Sequence, residues 1–194
     1  MRDEILDAAE RLFAERGLAG VSMRDIVAGT SLKNQASLYH HFRNKLTLYQ
    51  AVLSRGLDHI ISIVPAQPTQ SIDELNANLD KLLDYLSTHP HLARLVQRAA
   101  LDDSRYLEKT INTLLRPFYA EASRSLAGAD QSWTRNEVPH LGAGLYLLIW
   151  GYFANAPLLS VILNEDPLSA EAMKRQRQFV KRAVARLLGL ESGR

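Results

Sequence analysis

The segment Asn34–Lys45, with the sequence NQASLYHHFRNK, combines small polar side chains, aromatic rings and cations at helical spacing. On a helical wheel of about 100° per residue, Leu38 and Phe42 share one face. The opposite face is small and polar near its start and aromatic near its end, and we assign to it Asn34, Ala36, Ser37, Tyr39 and His40. Hydroxyl and amide groups can read base edges, and a side chain such as Ala36 can contact the methyl group of thymine. Such a face suits a helix that lies in the major groove of DNA.

Donors for phosphate oxygens cluster at the end of the same segment. Tyr39, His40, His41 and Lys45 can donate to phosphates, which position a protein on DNA without reading its sequence. The net charge of the chain is only +2, but residues 22–56 hold five Lys/Arg and one Asp/Glu. This local excess would attract a phosphate backbone. A solvated helix face can have the same composition, so charge alone leaves both interpretations open.

Two helices are predicted before this segment. Apolar residues recur at intervals of three and four over residues 5–13 and predict a first helix, which Gly17 ends. Ser22 followed three residues later by Asp25 is a capping box, which opens a second, short helix. The surface described above therefore follows two short elements close to the start of the chain.

Asn34 can cap a third helix and Asn44 a long fourth one. A short capped helix, a turn and a second short helix form a helix-turn-helix, whose second helix can enter a major groove. The remainder of the chain is also predicted to be helical, including the stretches 137–163 and 167–189, and we find no alternating strand pattern of useful length.

Composition sets limits on the class of protein. The 194 residues are 46% apolar, which is enough for a sizeable core, and they include no cysteine. Disulfides and thiolate metal sites are thereby excluded, and the charged start of the chain lacks a signal-peptide pattern, so we expect a cytoplasmic protein. We predict an all-α fold with a helix-turn-helix DNA-binding domain at residues 1–53. A larger helical ligand-binding and dimerisation domain is predicted at residues 54–194.

One apolar stretch requires separate consideration. Residues 140–163 contain no Asp, Glu, Lys or Arg over a length that could span a bilayer. They also contain three glycines, Asn155 and Pro157, and no Lys/Arg cluster flanks them. A helix that is apolar on all sides is alternatively buried inside a protein or between two subunits, and we favour that interpretation over a membrane span.

Residues 2–53 resemble the DNA-binding domain of the TetR family of bacterial transcriptional regulators. The resemblance rests on the block ASLYHHF at residues 36–42, followed by Asn44 and Lys45. Further matching residues are Arg2, Ile5, Ala8, Ala9, Leu12, Phe13, Gly17, Ser22, Arg24 and Ile26. The commonest family turn is one residue shorter and has Gly where Ser31 stands, which leaves open the register of Lys33 to Gln35.

The resemblance implies roles for individual residues. Ser22 and Arg24, at the start of the second helix, would contact phosphates, and His41 and Lys45 would hold the phosphate strand. Gln35, Ala36, Ser37 and Tyr39 would meet bases or the adjoining backbone. Gln35 lies near the inward side of the helical wheel, so its role rests on its place in the first helical turn.

The resemblance also implies a homodimer whose last two long helices pack together, and a ligand that alters the separation of two recognition helices. The predicted interface comprises Leu145, Tyr152, Met173, Phe179, Val180, Ala183, Val184 and Leu187. An apolar effector pocket is predicted from aromatic and aliphatic residues, namely Tyr85, Leu92, Phe118, Tyr119, Tyr146, Trp150 and Phe153. Both sets would equally suit an ordinary core.

The function predicted is that of a ligand-responsive regulator, most simply a repressor, which binds a pseudo-palindromic operator. The alternative is an all-helical sensor or interaction protein without sequence-specific DNA binding. We predict no enzyme activity, because the sequence has no glycine-rich phosphate loop and no visible spacing of nucleophile and base. No metal site and no cofactor are predicted; His89 and His91 have no third ligand at a useful spacing.

Overall fold

The computed structural model describes residues 1–64, 71–102, 108–117, 119–121, 124 and 133–190, and over these residues it contains helices and no strand. The helices are α1 (Arg2–Arg16), α2 (Met23–Ala28), α3 (Gln35–His41), α4 (Lys45–Ile63), α5 (Ile72–Thr88), α6 (Pro90–Asp102), α7 (Val138–Ala154), α8 (Ala156–Leu163) and α9 (Ala170–Leu187). A turn of π-helix spans Ile111–Leu115. The predicted all-α fold, with a helix-turn-helix near the start of the chain, is confirmed.

A first compact unit comprises residues 1–59 and 91–115. In it α1 packs on α2, and α2 packs on α3. The rings of Phe13 and Tyr49 meet edge to face with centroids 5.1 Å apart, a geometry that aromatic pairs prefer. The side chains that fill the core of this unit are Ile5, Leu6, Phe13, Ile26, Leu38, Leu48, Leu53 and Leu57. The apolar face predicted for residues 5–13 and the one formed by Leu38 and Phe42 are therefore buried.

The predicted ends of these helices are also confirmed. Gly17 follows α1 with φ 71°, a left-handed value that favours glycine, and its N–H donates to the carbonyl oxygen of Phe13. At the start of α4 the side chain of Asn44 accepts a hydrogen bond from the N–H of Thr47 at 2.9 Å. These caps are local interactions between residues three or four apart, which is why the sequence reveals them.

Gly56 in α4 allows a close approach by α6. A Cβ atom at this position would lie 2.3 Å from Cδ1 of Leu92. Leu92 is fully buried in the first unit, so its side chain has little room to move. The absence of a side chain at residue 56 is thus a packing requirement of this unit.

A second compact unit comprises residues 60–90 and 116–194. Its helices α5, α7 and α9 pack against one another, and α8 packs on α7. Arg177 of α9 donates to Asp80 at 2.7 Å and to Asp84, while Lys181 donates to Asp80 at 2.7 Å. These ion pairs join α5 to α9 along their polar edges.

The predicted continuous helix over residues 137–163 is wrong. The structure breaks it at Asn155, where α7 and α8 meet at an angle of 79°. Pro157 has no N–H, and in a continuous helix its ring would clash with the carbonyl group of Phe153. The side-chain amide of Asn155 instead donates to the carbonyl oxygen of Gly151 at 2.9 Å, so the end of α7 is satisfied locally.

Within the described part of the chain, no single helix has both the length and the apolar character needed to cross a membrane. Among the described helices, the pair α7 and α8 meets these requirements only when the two are taken together despite their bend.

Candidate nucleic-acid interface

The entry to the helix-turn-helix is fixed by a complete capping box. The backbone N–H of Ser22 donates to Oδ2 of Asp25 at 2.8 Å, and the N–H of Asp25 donates to Oγ of Ser22 at 3.1 Å. The hydroxyl of Ser22 also donates to this carboxylate at 2.6 Å. These bonds, first the side-chain and then the backbone contribution, lower the pKa of Asp25 below its ordinary value. Ser22 and Arg24 are both exposed beside this cap.

Helix α3 presents the surface that its sequence predicts. Leu38 is fully buried and Phe42, just after the helix, is nearly so. The residues exposed on the other side are Asn34, Gln35, Ala36, Tyr39, His40 and His41. Gln35 is exposed although the helical wheel places it near the inward side.

Asn34 performs the predicted capping role. Its side-chain oxygen accepts hydrogen bonds from the backbone N–H of Ser37 at 2.9 Å and from the Ser37 hydroxyl at 3.1 Å. Ser37 is half-buried, and its hydroxyl proton is engaged within the protein. Gln35, Ala36 and Tyr39 are by contrast exposed on the same helix.

Lys45 makes contacts that the sequence interpretation did not anticipate. Its ammonium group donates to the carbonyl oxygens of Leu18 at 2.7 Å and Val21 at 2.8 Å. Two of its three donors are thus engaged with the protein backbone, which leaves one for the predicted phosphate contact. In this structure Lys45 ties the start of α4 to the segment that leads into α2.

The exposed positive charge of the region is smaller than the sequence count indicates. Arg55 is paired with Asp7 at 2.7 Å and with Glu10 at 3.0 Å, and Glu10 is buried. Arg55 and Lys45 are thus committed to contacts inside the first unit. The bases that remain exposed in the stretch from residue 22 to residue 56 are Arg24, Lys33 and Arg43.

Two further contacts support the domain and carry no local sequence signal. The guanidinium of Arg2 lies over the ring of Phe42, 5.2 Å from its centroid, a cation–π arrangement. The carboxylate of Glu4 accepts hydrogen bonds from the N–H and hydroxyl of Ser31. One contact joins the start of α1 to the turn over 27 positions, and the other joins it to the end of α3 over 40 positions. No local pattern reveals contacts over such separations, which is why sequence reasoning missed them.

The residues predicted to line an effector pocket are only partly brought together. In the second unit, Tyr146 stacks on Trp150 with ring centroids 5.7 Å apart, and Trp150 and Phe153 are buried. Tyr119 donates its hydroxyl to the carbonyl oxygen of Pro139 at 2.5 Å.

The other members of the predicted pocket have different surroundings. Tyr85 stacks on His89, its neighbour on the following turn, with centroids 4.2 Å apart. Leu92 belongs to the first unit, where it packs over Gly56. Phe118 lies outside the described residues.

Three residues of the predicted dimer interface require correction. Met173, Val180 and Val184 are buried within a single copy of the chain, so they form its own core and are not available to a partner. The structure places Phe179 at the surface, and Leu145, Tyr152, Ala183 and Leu187 are half-buried. The hydroxyl of Tyr152 donates to the carbonyl oxygen of Pro167 at 2.8 Å.

A larger exposed apolar surface lies on α8, a helix that the sequence interpretation did not separate from α7. We define the α8 apolar face as Leu158, Val161, Ile162 and Leu163, whose exposed fractions range from 46% to 77%. Tyr146 and Leu147 of α7 are also exposed. Monomeric proteins seldom leave such a contiguous group of aliphatic side chains in water.

Comparison with known proteins identifies a family model and curated relatives that match part of the chain. The sequence model of the bacterial regulatory proteins of the tetR family matches residues 5–52. The chain is 34% identical over 92 residues to the HTH-type transcriptional repressor SCO4008 of Streptomyces coelicolor, a match that covers 47% of this chain and 45% of that protein. It is 33% identical over 86 residues to IcaR of Staphylococcus aureus, the negative transcriptional regulator of the biofilm operon icaADBC, with 44% of each chain covered. The matches thus span less than half the length of these curated relatives.

Solved structures share the fold over nearly the whole chain. The TetR family transcriptional regulator PfmR of Thermus thermophilus has a TM-score of 0.69 at 19% identity, with 100% of this chain and 98% of that chain covered. The transcriptional regulator SCO4942 of Streptomyces coelicolor has a TM-score of 0.65 at 20% identity, with 96% and 97% covered. At these identities the likeness establishes the fold alone.

Proposed function

We propose that the chain, whose residues 5–52 match the sequence model of the tetR family of bacterial regulatory proteins, is a ligand-responsive transcriptional repressor. It binds a pseudo-palindromic DNA operator as a homodimer and is released by a small, largely apolar effector. We assign DNA binding to residues 1–53, and effector binding and dimerisation to residues 54–194.

The observation that carries the proposal is the two-sided character of α3. Leu38 anchors the helix in the core, whereas Gln35, Ala36 and Tyr39 face outward on a helix that is only seven residues long. An amide, a methyl group and a phenol on one exposed helix face are suited to base edges and the adjoining sugar-phosphate backbone. An apolar anchor fixes this face to the rest of the domain.

Charge around α3 supports the same function. Arg24, Lys33 and Arg43 are exposed on the segments that precede and follow the helix. They supply the sequence-independent attraction that binding to a polyanion requires. Ser22 and His41 are exposed as well, and we propose that they and Arg24 contact phosphates, while His40 lies beside the groove.

A second copy of the chain is the partner that completes the function. The α8 apolar face, together with Tyr146 and Leu147, offers a surface that a symmetric dimer would cover. Phe179 and the half-buried Leu145, Tyr152, Ala183 and Leu187 can extend this surface. A dimer supplies two recognition helices, which must lie about 34–36 Å apart to meet successive major grooves.

Release of DNA follows if an effector favours a different separation of the two recognition helices. Trp150, Phe153 and Tyr146 supply an aromatic environment within the second unit, suited to an apolar ligand. A coupling free energy of about 1–3 kcal/mol between the two sites would weaken DNA binding about 5- to 150-fold. The relatives named above are a transcriptional repressor and a negative transcriptional regulator, which supports a regulator here.

The test uses duplex DNA enriched from a random-sequence pool by the wild-type protein, together with the region upstream of its own gene. We expect retention of a specific, two-fold symmetric sequence. Tyr39→Ala should reduce retention at least tenfold, whereas Lys174→Ala, a change at an exposed position of α9, should leave it unchanged. Failure to enrich any sequence would favour the alternative of a helical sensor or interaction protein that does not read DNA.

A further inference from the structure

Glu4 and Ser31 are joined across the first unit although 27 positions separate them in the chain. Oε1 of Glu4 accepts the backbone N–H of Ser31 at 2.5 Å, and Oε2 accepts the Ser31 hydroxyl at 3.0 Å. Both oxygens of one carboxylate are therefore used on a single residue. Hydrogen bonds to an ionised acceptor are roughly twice as strong as those between neutral groups.

Ser31 occupies the turn that aims the recognition helix. The segment between α2 and α3 is irregular. Its local bonds include those of the Thr30 side chain with Val27 and Leu32 and those of the Gly29 and Thr30 N–H groups with the carbonyl oxygens of Ile26 and Val27. Asn34, which caps α3, follows Ser31 by only three residues. The position of Ser31 relative to α1 therefore limits the direction in which α3 can begin.

We propose that Glu4 is a positioning residue for DNA recognition, which holds the turn at Ser31 so that the exposed face of α3 is presented in one orientation. This inference rests on the DNA-binding function proposed above. Glu4 need not touch DNA in this role. A fixed turn lowers the ordering cost of binding, because the recognition surface is already arranged before the duplex arrives.

The charge of Glu4 makes this role separable from simple attraction to DNA. The bonds from Ser31, first the backbone and then the hydroxyl, lower the pKa of Glu4, so the carboxylate is ionised at neutral pH. A negative charge in a DNA-binding domain opposes phosphate attraction on any sequence. Removal of Glu4 should consequently favour binding to arbitrary DNA while it disturbs binding to the preferred sequence.

The experiment compares Glu4→Ala with Asp3→Ala, which removes a like charge from an exposed residue of the same helical turn. Two duplexes serve as probes, the sequence enriched by the wild-type protein and a shuffled sequence of the same composition. For Asp3→Ala the ratio of the two affinities should stay at the wild-type value. For Glu4→Ala it should fall about tenfold, the loss expected for bonds to a charged group, with affinity for the shuffled duplex maintained or increased.

Several outcomes decide the proposal. A ratio for Glu4→Ala equal to that for Asp3→Ala would overturn it. If Glu4→Ala does not fold, Ser31→Ala, which removes only the hydroxyl contact, should show a smaller fall in the ratio, and an unchanged ratio would be equally decisive. Loss of binding to both duplexes together would indicate a merely structural role.

A second measurement needs no DNA and so distinguishes failure of this inference from failure of the proposed function. Hydrogen exchange of the backbone amides of Ser31 and Ser37 should be faster in Glu4→Ala than in Asp3→Ala, because the turn and the cap of α3 open more readily. Unchanged exchange at both amides would contradict the positioning role, whether or not the wild-type protein enriches a DNA sequence.

Discussion

The ammonium group of Lys45 donates a hydrogen bond to the carbonyl oxygen of Val21 at 2.8 Å. Val21 immediately precedes the capping residue of α2, while Lys45 is the first residue of α4. A second bond, to Leu18 at 2.7 Å, engages the same ammonium. The side chain of Lys45 thus connects the start of α4 to the segment that leads into α2, on either side of the turn and α3.

Replacement of Lys45 by Met should therefore act through the fold. Met keeps most of the side-chain volume but leaves two carbonyl oxygens without their donor, which we expect to cost about 1–3 kcal/mol of unfolding free energy. DNA binding should weaken, but the slope of log affinity against log salt should stay close to that of the wild type. Denaturant unfolding and DNA titrations at several salt concentrations measure both quantities.

Lys33→Met is the matched control, because Lys33 is exposed in the turn before α3. It should leave the unfolding free energy unchanged and reduce the salt slope by about one, as loss of a phosphate contact does. A reduced salt slope for Lys45→Met with normal stability would restore the phosphate role that the sequence alone suggests.

The contrast between these two lysines shows what the sequence can predict. Caps at Ser22 and Asn34 and the buried position of Leu38 depend on residues three or four apart, so spacing reveals them. The bonds from Lys45 to Val21 and from Glu4 to Ser31 join residues 24 and 27 positions apart, and no local pattern specifies them. From its residue type alone, Lys45 is predicted to be a free cation, whereas in the fold its ammonium group donates to backbone carbonyl oxygens.

The second compact unit was less predictable for a related reason. A helical wheel identifies an apolar face but cannot tell whether the chain itself or a second copy covers it. Met173, Val180 and Val184 were assigned to a partner and are in fact core. The bend at Asn155 was also missed, and this bend is what sets α8 apart as a separate exposed helix.

Gly56→Ala should destabilise the first unit. The added Cβ would lie 2.3 Å from Cδ1 of the buried Leu92, and overpacking of this kind costs about 1–3 kcal/mol. Gly144→Ala is the control, since a Cβ there meets nothing within 4 Å and should stabilise α7 by about 0.5–1 kcal/mol. In a Leu92→Ala background the cost of Gly56→Ala should largely disappear. A persistent cost in that double variant would show that Leu92 is not the cause.

Acid should weaken the cap of α2, and Asp25→Asn should remove this dependence on pH. The pKa of Asp25 is lowered by its bonds to Ser22, with smaller help from the charges of Arg16 and Arg24. The stabilisation is thus fully present above the ordinary pKa of an unfolded aspartate, about 3.9, and is lost as pH falls through the lower folded pKa. Asp25→Asn should be less stable at neutral pH and should lose less stability on acidification. Denaturant unfolding at a series of pH values measures the free energy of unfolding of both proteins. If this free energy depends on pH equally in the wild type and in Asp25→Asn, the linkage is contradicted.

Charge placed on the α8 apolar face should dissociate the proposed dimer. Val161 and Ile162 are 77% and 65% exposed in a single copy, so Val161→Lys with Ile162→Lys should not disturb the fold of the monomer. In a symmetric dimer each substitution occurs twice, and four ammonium groups would have to be desolvated or brought together. Light scattering at micromolar concentration should give twice the chain mass of 21.7 kDa for the wild type and one chain mass for the variant.

Leu101→Lys serves as the control, because Leu101 is 80% exposed and belongs to the first unit. This variant should remain dimeric. If the α8 variant also remains dimeric while its helix content is unchanged, the partner must cover a different surface, and Phe179→Lys on α9 becomes the decisive substitution. If Leu101→Lys is the variant that dissociates, the dimer forms through the first unit, and the spacing of the two recognition helices would have to be set there.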